Sequence, residues 1–278
     1  MRAKGRRYFS GPFPRAIAHR GFAPDGGENT LEAFQAALLE GADVLETDVQ
    51  ATSDAVALTF HDPTLARVVA GDDRVVADTS WKALRSVRIQ DAGGITRLDE
   101  ALASLPSALF NIDVKSARAI APTVSAIERT GAGRRVCLTS FDPKIAKEVV
   151  TRASKACGYP VMASASRTTV AAFLASSHLG TELLNARILA PFAALQVPVR
   201  FRGIHIITPR FVAAAHRAGC EVHAWTIDEE PLMHRLLDMG VDGIVSNRTD
   251  RLVNVREART TRRTGPGNIH AGRSVDGS

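Results

Sequence analysis

Short apolar runs alternate along the chain with stretches in which apolar residues recur every three or four positions. This alternation predicts repeated βα units around a parallel sheet. Strands are predicted at 15–19, 44–49, 56–60, 108–114, 135–139, 158–163, 197–206, 221–226 and 243–246, and helices at 30–40, 117–130, 143–154, 167–178, 208–218 and 229–239. The first helix has the clearest pattern. Leu31, Phe34 and Leu38 share a face, Asn29 stands as its cap with Glu32 three residues on, and Gly41 sits where a left-handed residue ends a helix. The α/β architecture that suits this series is a TIM-type (β/α)8 barrel, which uses all but one of the predicted strands. The runs 44–49 and 56–60 are too close for a helix between them, so the irregularity is expected there, with a short insertion after the third strand.

Composition adds little to this picture: 45% hydrophobic and 23% charged residues describe a globular chain that buries a full core, here as one domain over 15–255. The formal charge of +6 resides at the ends. Arg2, Lys4, Arg6, Arg7 and Arg15 mark a basic extension over 1–14 and the first strand, and five arginines against Glu257 and Asp276 mark a tail over 256–278; between them the chain is slightly acidic. Nucleic acid is therefore not expected as a partner, because backbone binding needs Lys and Arg clustered on the folded face. The Arg, Gly and Ser-rich tail reads as disordered, and both ends as solvated, with weak contact to acidic lipid heads left open. Cys137, Cys157 and Cys220 suggest neither a disulfide framework nor a zinc knuckle. No apolar run approaches the ~18 residues of a spanning helix. A secretory type of apolar stretch does not arrive before Pro12, Pro14 and Arg15, so a cytoplasmic location is expected.

Candidate chemistry lies at strand ends, since the C-terminal ends of barrel strands form the site while residues within them pack the barrel. His19-Arg20 ends the first predicted strand, His61-Asp62 follows the third, and Lys115 ends the fourth. Glu46 and Asp48, two apart on one strand, project from the same face. Carboxylates that close repel one another unless a cation lies between them, and oxygen-only ligands suit one divalent Mg²⁺ or Ca²⁺ better than zinc. Asp113 and Lys115 repeat the spacing: Asp113 to complete the metal shell, Lys115 and Arg20 to hold phosphate oxygens. Glu28 is either a ligand or a partner of Arg20. Asp62 reads as the turn before Pro63. A small phosphodiester substrate explains the set, with cations offsetting charge at phosphorus and two histidines moving protons. His178, His205, His216, His223 and His234 have no acidic partner at ligand spacing and read as structural or exposed.

The ordered stretches His19-Arg20-Gly21, Glu28-Asn29-Thr30, Glu46-Thr47-Asp48-Val49 and His61-Asp62-Pro63 resemble the glycerophosphodiester phosphodiesterase family. Asn111-Ile112-Asp113-Val114-Lys115, Ser140-Phe141-Asp142-Pro143, Trp225-Thr226 and Gly240-Val241-Asp242-Gly243 extend the likeness over about 15–250. The resemblance implies a TIM-type barrel that uses a divalent metal to hydrolyse glycerophosphodiesters to an alcohol and glycerol 3-phosphate. It places the catalytic histidines on His19 and His61, the paired metal carboxylates on Glu46 and Asp48, and the phosphate-binding cations on Arg20 and Lys115. The remaining metal carboxylate, usually Glu in the family, falls on Asp113, a shorter side chain. Ser246-Asn247 is a second departure, because relatives commonly have Thr-Asp there. By analogy with related phospholipases, one histidine, assigned to His19, deprotonates a substrate hydroxyl or a metal-bound water while His61 protonates the leaving alkoxide. Trp225 and Glu28 are the further substrate contacts, Trp225 either stacking on substrate or filling the barrel mouth.

Two other readings stand beside this one. A lysophospholipase D would cleave the same bond in an acylated substrate and needs an apolar groove. The segments 62–98 and 164–202 are its candidates, the latter through Phe173, Leu174, Ile188, Leu189, Phe192 and Leu195. A barrel that binds a phosphoester without turnover is the non-enzymatic alternative.

Overall fold

Eight parallel strands form the barrel: β1 Arg15–His19, β2 Val44–Ala51, β3 Leu109–Val114, β4 Val136–Thr139, β5 Met162–Ala163, β6 Ala194–Pro198, β7 Glu221–Trp225 and β8 Gly243–Ser246. They are seen in a computed structural model that describes residues 13–89 and 92–264. Each strand pairs in parallel with its neighbour, and β8 returns to β1. The ring closes between β5 and β6 through a parallel bridge of Ser164 to Ala194, where Ala165 N–H donates to the Ala194 carbonyl at 3.0 Å. Strands covered on both sides need no polar alternation, which is why they read as nearly continuous apolar runs.

Around the barrel lie α1 Leu31–Leu39, α2 Leu98–Ser104, α3 Ala117–Arg129, α4 Pro143–Cys157, α5 Arg167–Leu179, α6 Glu182–Leu189, α7 Pro209–Arg217, α8 Glu230–Asp238 and α9 Thr249–Thr264. Their apolar faces meet the strands in two large clusters, one containing the edge-on pair Phe34–Phe110 at 5.8 Å and the other Phe173–Phe211 at 5.1 Å. None of the described helices is long and apolar enough to cross a membrane.

The ninth predicted strand is accounted for by Ala57–Thr59, which pairs antiparallel with the end of β2 and stays off the barrel path. The insertion follows it, with its own small core of Phe60, Leu65, Val76, Leu84 and Ile89. The strand expected over 197–206 is displaced. β6 starts at Ala194 and ends at Pro198, and a separate hairpin pairs Arg200–Phe201 with Ile204–His205 through Arg202 and Gly203, at φ 48° and 83°. Two successive positive-φ residues make the tight turn that reverses the chain. The strand expected at 158–163 shortens because Gly158, at φ 72°, ends α4.

Thr30, not Asn29, caps α1, its hydroxyl accepting from Ala33 N–H at 3.1 Å; Gly41 takes the expected left-handed conformation at φ 93°. The tail expected to be disordered from 256 is helical to 264. Arg256 anchors that turn, donating to the Asp43 carboxylate and to the Gly41 carbonyl. The rest of the tail and residues 1–12 of the basic extension lie outside the described residues.

Candidate active site

Strand register gathers the candidate residues into one layer. Glu46 stands opposite both His19 and Asn111, and Asp48 stands opposite Asp113. His19 ends β1 with Nδ1 2.7 Å from Asn247 Oδ1 and Nε2 3.9 Å from Glu46 Oε2. Asn247 is itself held by Asp228, to which its backbone N–H and its Nδ2 each donate at 2.8 Å; Ser246 Oγ donates to the same carboxylate at 2.9 Å. Burial, aided by the Arg20 charge, holds the His19 imidazole below the usual histidine range.

Past His19 the chain turns through Arg20 and Gly21, at φ 57° and 85°. A Cβ on Gly21 would stand 2.7 Å from the Ala33 carbonyl carbon of α1, so only glycine fits. Arg20 is a non-glycine residue in the left-handed region, a conformation that structures retain chiefly where function or packing holds it. Its Nη1 donates to Glu28 Oε1 at 2.8 Å, and its Nε lies 2.8 Å from Asp48 Oδ2.

Glu46, Asp48 and Asp113 are all buried. Lys115 Nζ lies between two of them, 2.6 Å from Asp48 Oδ1 and 2.6 Å from Asp113 Oδ2. Burial, and then the charges of Asp48 and Asp113, push the Glu46 carboxyl well above its usual range. Burial also acts on Asp48, but Lys115 and Arg20 outweigh it and hold that carboxyl low. Burial opposes the Lys115 charge, yet Asp113 and Asp48 prevail and raise it. Asp113 Oδ1 is buried with no hydrogen-bond partner among the described residues. Three buried carboxylates with one such oxygen make a donor set that fits a hard divalent cation. As they stand, no three acidic, histidine or cysteine side chains among the described residues are placed together to hold one, and the ammonium of Lys115 lies between Asp48 and Asp113.

His61 Nδ1 lies 2.5 Å from Asp62 Oδ1, so Asp62 does more than make a turn. Arg67 Nε donates to the other Asp62 oxygen, and its Nη atoms donate to both oxygens of Glu28 at 3.1 and 2.5 Å. Charged contacts thus run unbroken from His61 through Asp62, Arg67, Glu28 and Arg20 to Asp48. Burial raises Glu28, but Arg67 and Arg20 more than offset it and hold that carboxyl low. Glu28 is therefore the partner of Arg20, and of Arg67 as well. His19 Nε2 faces the carboxylate cluster, and His61 lies near enough for a charge on it to bear on Asp48 and Asp113.

Trp225 meets Phe141 edge-on at 5.8 Å, and Lys115 Nζ lies 5.4 Å from the centre of the Phe141 ring. Phe141 is half exposed beside the site; it lies in the Ser140-Phe141-Asp142-Pro143 stretch that carries the family likeness, although no role is assigned to it there. Asn29, read as a cap, instead supports the floor: Nδ2 lies 3.4 Å from Asp48 Oδ2 and Oδ1 accepts from Thr47 at 2.7 Å. Its φ of 59° suits a short polar side chain. Arg67 and Asp228 carried no local signal in the sequence. Two of the histidines read as structural or exposed have acidic partners, His216 with Asp242 at 2.7 Å and His223 with Glu221 at 3.0 Å. Both lie at the opposite end of the barrel. The apolar residues expected to offer a groove are used in the core: Phe173, Leu189 and Leu195 are buried there, with Leu174, Ile188 and Phe192 packed against them.

The family described as "Glycerophosphoryl diester phosphodiesterase family" matches residues 19–251. A Mycobacterium tuberculosis protein named probable glycerophosphodiester phosphodiesterase 2 is 39% identical over 245 residues, which cover 88% of this chain and 91% of that one. A glycerophosphodiester phosphodiesterase of Caldanaerobacter subterraneus is 27% identical over 260 residues, 86% of this chain and 96% of its own. Among solved structures, a glycerophosphodiester phosphodiesterase from Agrobacterium tumefaciens superposes with a TM-score of 0.71 at 22% identity, covering 87% of this chain and 99% of that chain. An Oleispira antarctica phosphodiesterase, solved in complex with its product sn-glycerol-3-phosphate, superposes at 0.66 with 23% identity over 88% of this chain and 97% of its own.

Proposed function

The chain belongs to the glycerophosphoryl diester phosphodiesterase family, and from that premise we propose how its residues act on a small, deacylated glycerophosphodiester to release an alcohol and glycerol 3-phosphate. It is a glycerophosphodiester phosphodiesterase, and the product held by the Oleispira relative supports this choice of product. The observation that carries the mechanism is the unlike pairing of the two histidines. His19 meets a neutral amide and His61 a carboxylate. Two titratable groups whose surroundings differ in this way suit the roles of base and acid.

In this reading His19 Nε2 takes the proton of the attacking oxygen and His61 gives a proton to the departing alkoxide; attack by water yields glycerol 3-phosphate directly, whereas attack by a substrate hydroxyl yields a cyclic phosphate that water then opens with the two histidines exchanging roles. Arg20 and Lys115 hold phosphate oxygens with fixed positive charge. One divalent cation, Mg²⁺ or Ca²⁺, would be held by Glu46, Asp48 and Asp113 and would supply Lewis-acid charge to the phosphate. Small substrates are favoured over acylated ones because the six side chains expected to line a groove, Phe173, Leu174, Ile188, Leu189, Phe192 and Leu195, pack in the core.

Purified protein given glycerophosphocholine, glycerophosphoethanolamine or a lysophospholipid, with Mg²⁺, Ca²⁺ or chelator, tests the reading. Turnover of the deacylated substrates that depends on metal and is lost in His19→Ala is expected. Full activity in chelator, or in His19→Ala, would overturn the mechanism; turnover of the acylated substrate alone would move the function to a lysophospholipase D.

A further inference from the structure

We propose that Asp228 is a positioning residue that fixes which nitrogen of His19 carries the proton, acting through the amide of Asn247. The proposal rests on the reading of His19 as the general base. It starts from a contact otherwise open to two interpretations: Asn247 and His19 face each other at 2.7 Å, and either could be the donor. The ambiguity is removed one residue further out. Asp228 is a carboxylate held below its usual range, because the hydrogen bonds from Asn247, Ser246 and the backbone outweigh the burial that would raise it. An ionised carboxylate only accepts hydrogen bonds. The Asn247 group 2.8 Å from Asp228 Oδ2 must therefore be the Nδ2 amine. The backbone N–H of Asn247 and the hydroxyl of Ser246 donate to the other Asp228 oxygen, so the carboxylate has no freedom to rotate away.

With the amine committed, the oxygen of Asn247 is the atom turned to His19. An amide oxygen only accepts, so His19 Nδ1 must carry the hydrogen. In a neutral imidazole Nε2 is then the bare nitrogen, and Nε2 is the atom that faces the carboxylate cluster, 3.9 Å from Glu46 Oε2. The step this permits balances. Nε2 takes the proton of the attacking hydroxyl or water, the oxygen's electron pair forms the new bond to phosphorus, and the bond to the leaving oxygen breaks as His61 delivers a proton to it. The reverse tautomer would present an N–H to the attacking oxygen and could not act as base.

The decisive variant is Asp228→Asn. A carboxamide at 228 keeps its oxygen on Ser246 Oγ and the Asn247 backbone N–H, and presents an amine to the Asn247 side chain. Asn247 then turns over, its own amine faces His19 Nδ1, and the hydrogen moves to Nε2. Imidazole nitrogen NMR of the full chain labelled at histidine reads this directly, with His19 identified by the signal missing in His19→Gln. The expected result is an Nδ1–H tautomer in the native protein and Nε2–H in Asp228→Asn. With glycerophosphocholine, kcat is expected to fall about 10²-fold while KM changes little. Asn247→Leu, which removes the amide at similar size, is the second variant: it should lose the tautomer preference and also lower kcat. An Nε2–H tautomer in the native protein, or no change of tautomer in either variant, would overturn the proposal irrespective of activity. The expected tautomers with unchanged kcat would instead overturn the role of His19 as base, and with it the catalytic meaning of the relay.

Discussion

Arg67 grips Glu28 through both terminal nitrogens, Nη1 3.1 Å from Oε2 and Nη2 2.5 Å from Oε1, across 39 residues of sequence. The same guanidinium reaches Asp62 through Nε, so one side chain of the insertion links the acid behind His61 to the acid behind Arg20. Arg67 touches neither histidine and neither of the cations proposed to bind phosphate, yet through Asp62 and Glu28 it braces the partners of His61 and Arg20.

Arg67→Ala is therefore expected to lower kcat/KM by about 10-fold or more, since small misplacements of catalytic groups are costly. Global stability should change by less than about 1 kcal/mol, because the side chain is half exposed and its ion pairs are screened. Arg67→Lys should recover little, as an ammonium cannot make the two-pronged contact. Kinetics on glycerophosphocholine beside urea midpoints decide this. A fall in stability with kcat/KM intact would reduce Arg67 to a brace of its loop.

The roles proposed for the two histidines predict different sensitivities to the leaving group. A glycerophosphodiester of nitrophenol departs without needing a proton, so His61→Ala should lose little with it but roughly 10²–10⁴-fold with glycerophosphocholine. His19→Ala should lose activity of that order with both. Steady-state rates on the two substrates make the comparison; equal losses in His61→Ala would remove the assignment of His61 as acid.

The crowding of Glu46, Asp48 and Asp113 predicts that a cation binds the folded chain more tightly than the unfolded one. Mg²⁺ or Ca²⁺ at about 100 times its Kd should add about 2.7 kcal/mol of stability, seen as a higher thermal midpoint that chelator reverses. Asp113→Asn should need more metal for the same shift, because it loses the charge whose Oδ1 is buried without a partner among the described residues. An unchanged midpoint across millimolar metal would argue against the site.

What the sequence disclosed was whatever depends on local geometry. Glu46 and Asp48 share a face because strand side chains alternate, and His19 ends a strand because the apolar run before it stops. The nine-against-eight count also pointed to the correct pair, Ala57–Thr59 folding back on β2. What stayed hidden was set across space. Asp228 reaches the amide beside His19 only when the barrel closes, and Arg67 meets Glu28 across 39 residues, so no spacing announces them. Asn29 shows a local rule outcompeted: its type and place suit a cap, but its backbone lies at φ 59° and its amide reaches Asp48, leaving the cap to Thr30.

At the end of the barrel away from the site, Arg15 donates to both Glu221 oxygens at 2.8 and 2.9 Å, and Glu221 also faces the buried His223 at 3.0 Å. Burial raises the Glu221 carboxyl, but the hydrogen bonds and charges of Arg15 and His223 outweigh it and hold it below the usual glutamate range. A carboxyl depressed in the folded state binds its proton more readily when unfolded. Its stabilisation is thus fully present above the unfolded value and is lost as pH falls through the folded one. Glu221→Gln should cost about 2–3 kcal/mol near neutral pH, towards the lower end for breaking a largely buried pair because Gln keeps a hydrogen-bonding group. The gap between variant and native protein should narrow below the ordinary glutamate range and close once native Glu221 is protonated. Urea midpoints taken across that window measure it, and a gap independent of pH would mean that packing rather than charge sets the loss. Turnover by the folded variant should stay within about two-fold of native, because polar groups at the N-terminal ends of barrel strands serve stability while chemistry is confined to the other face.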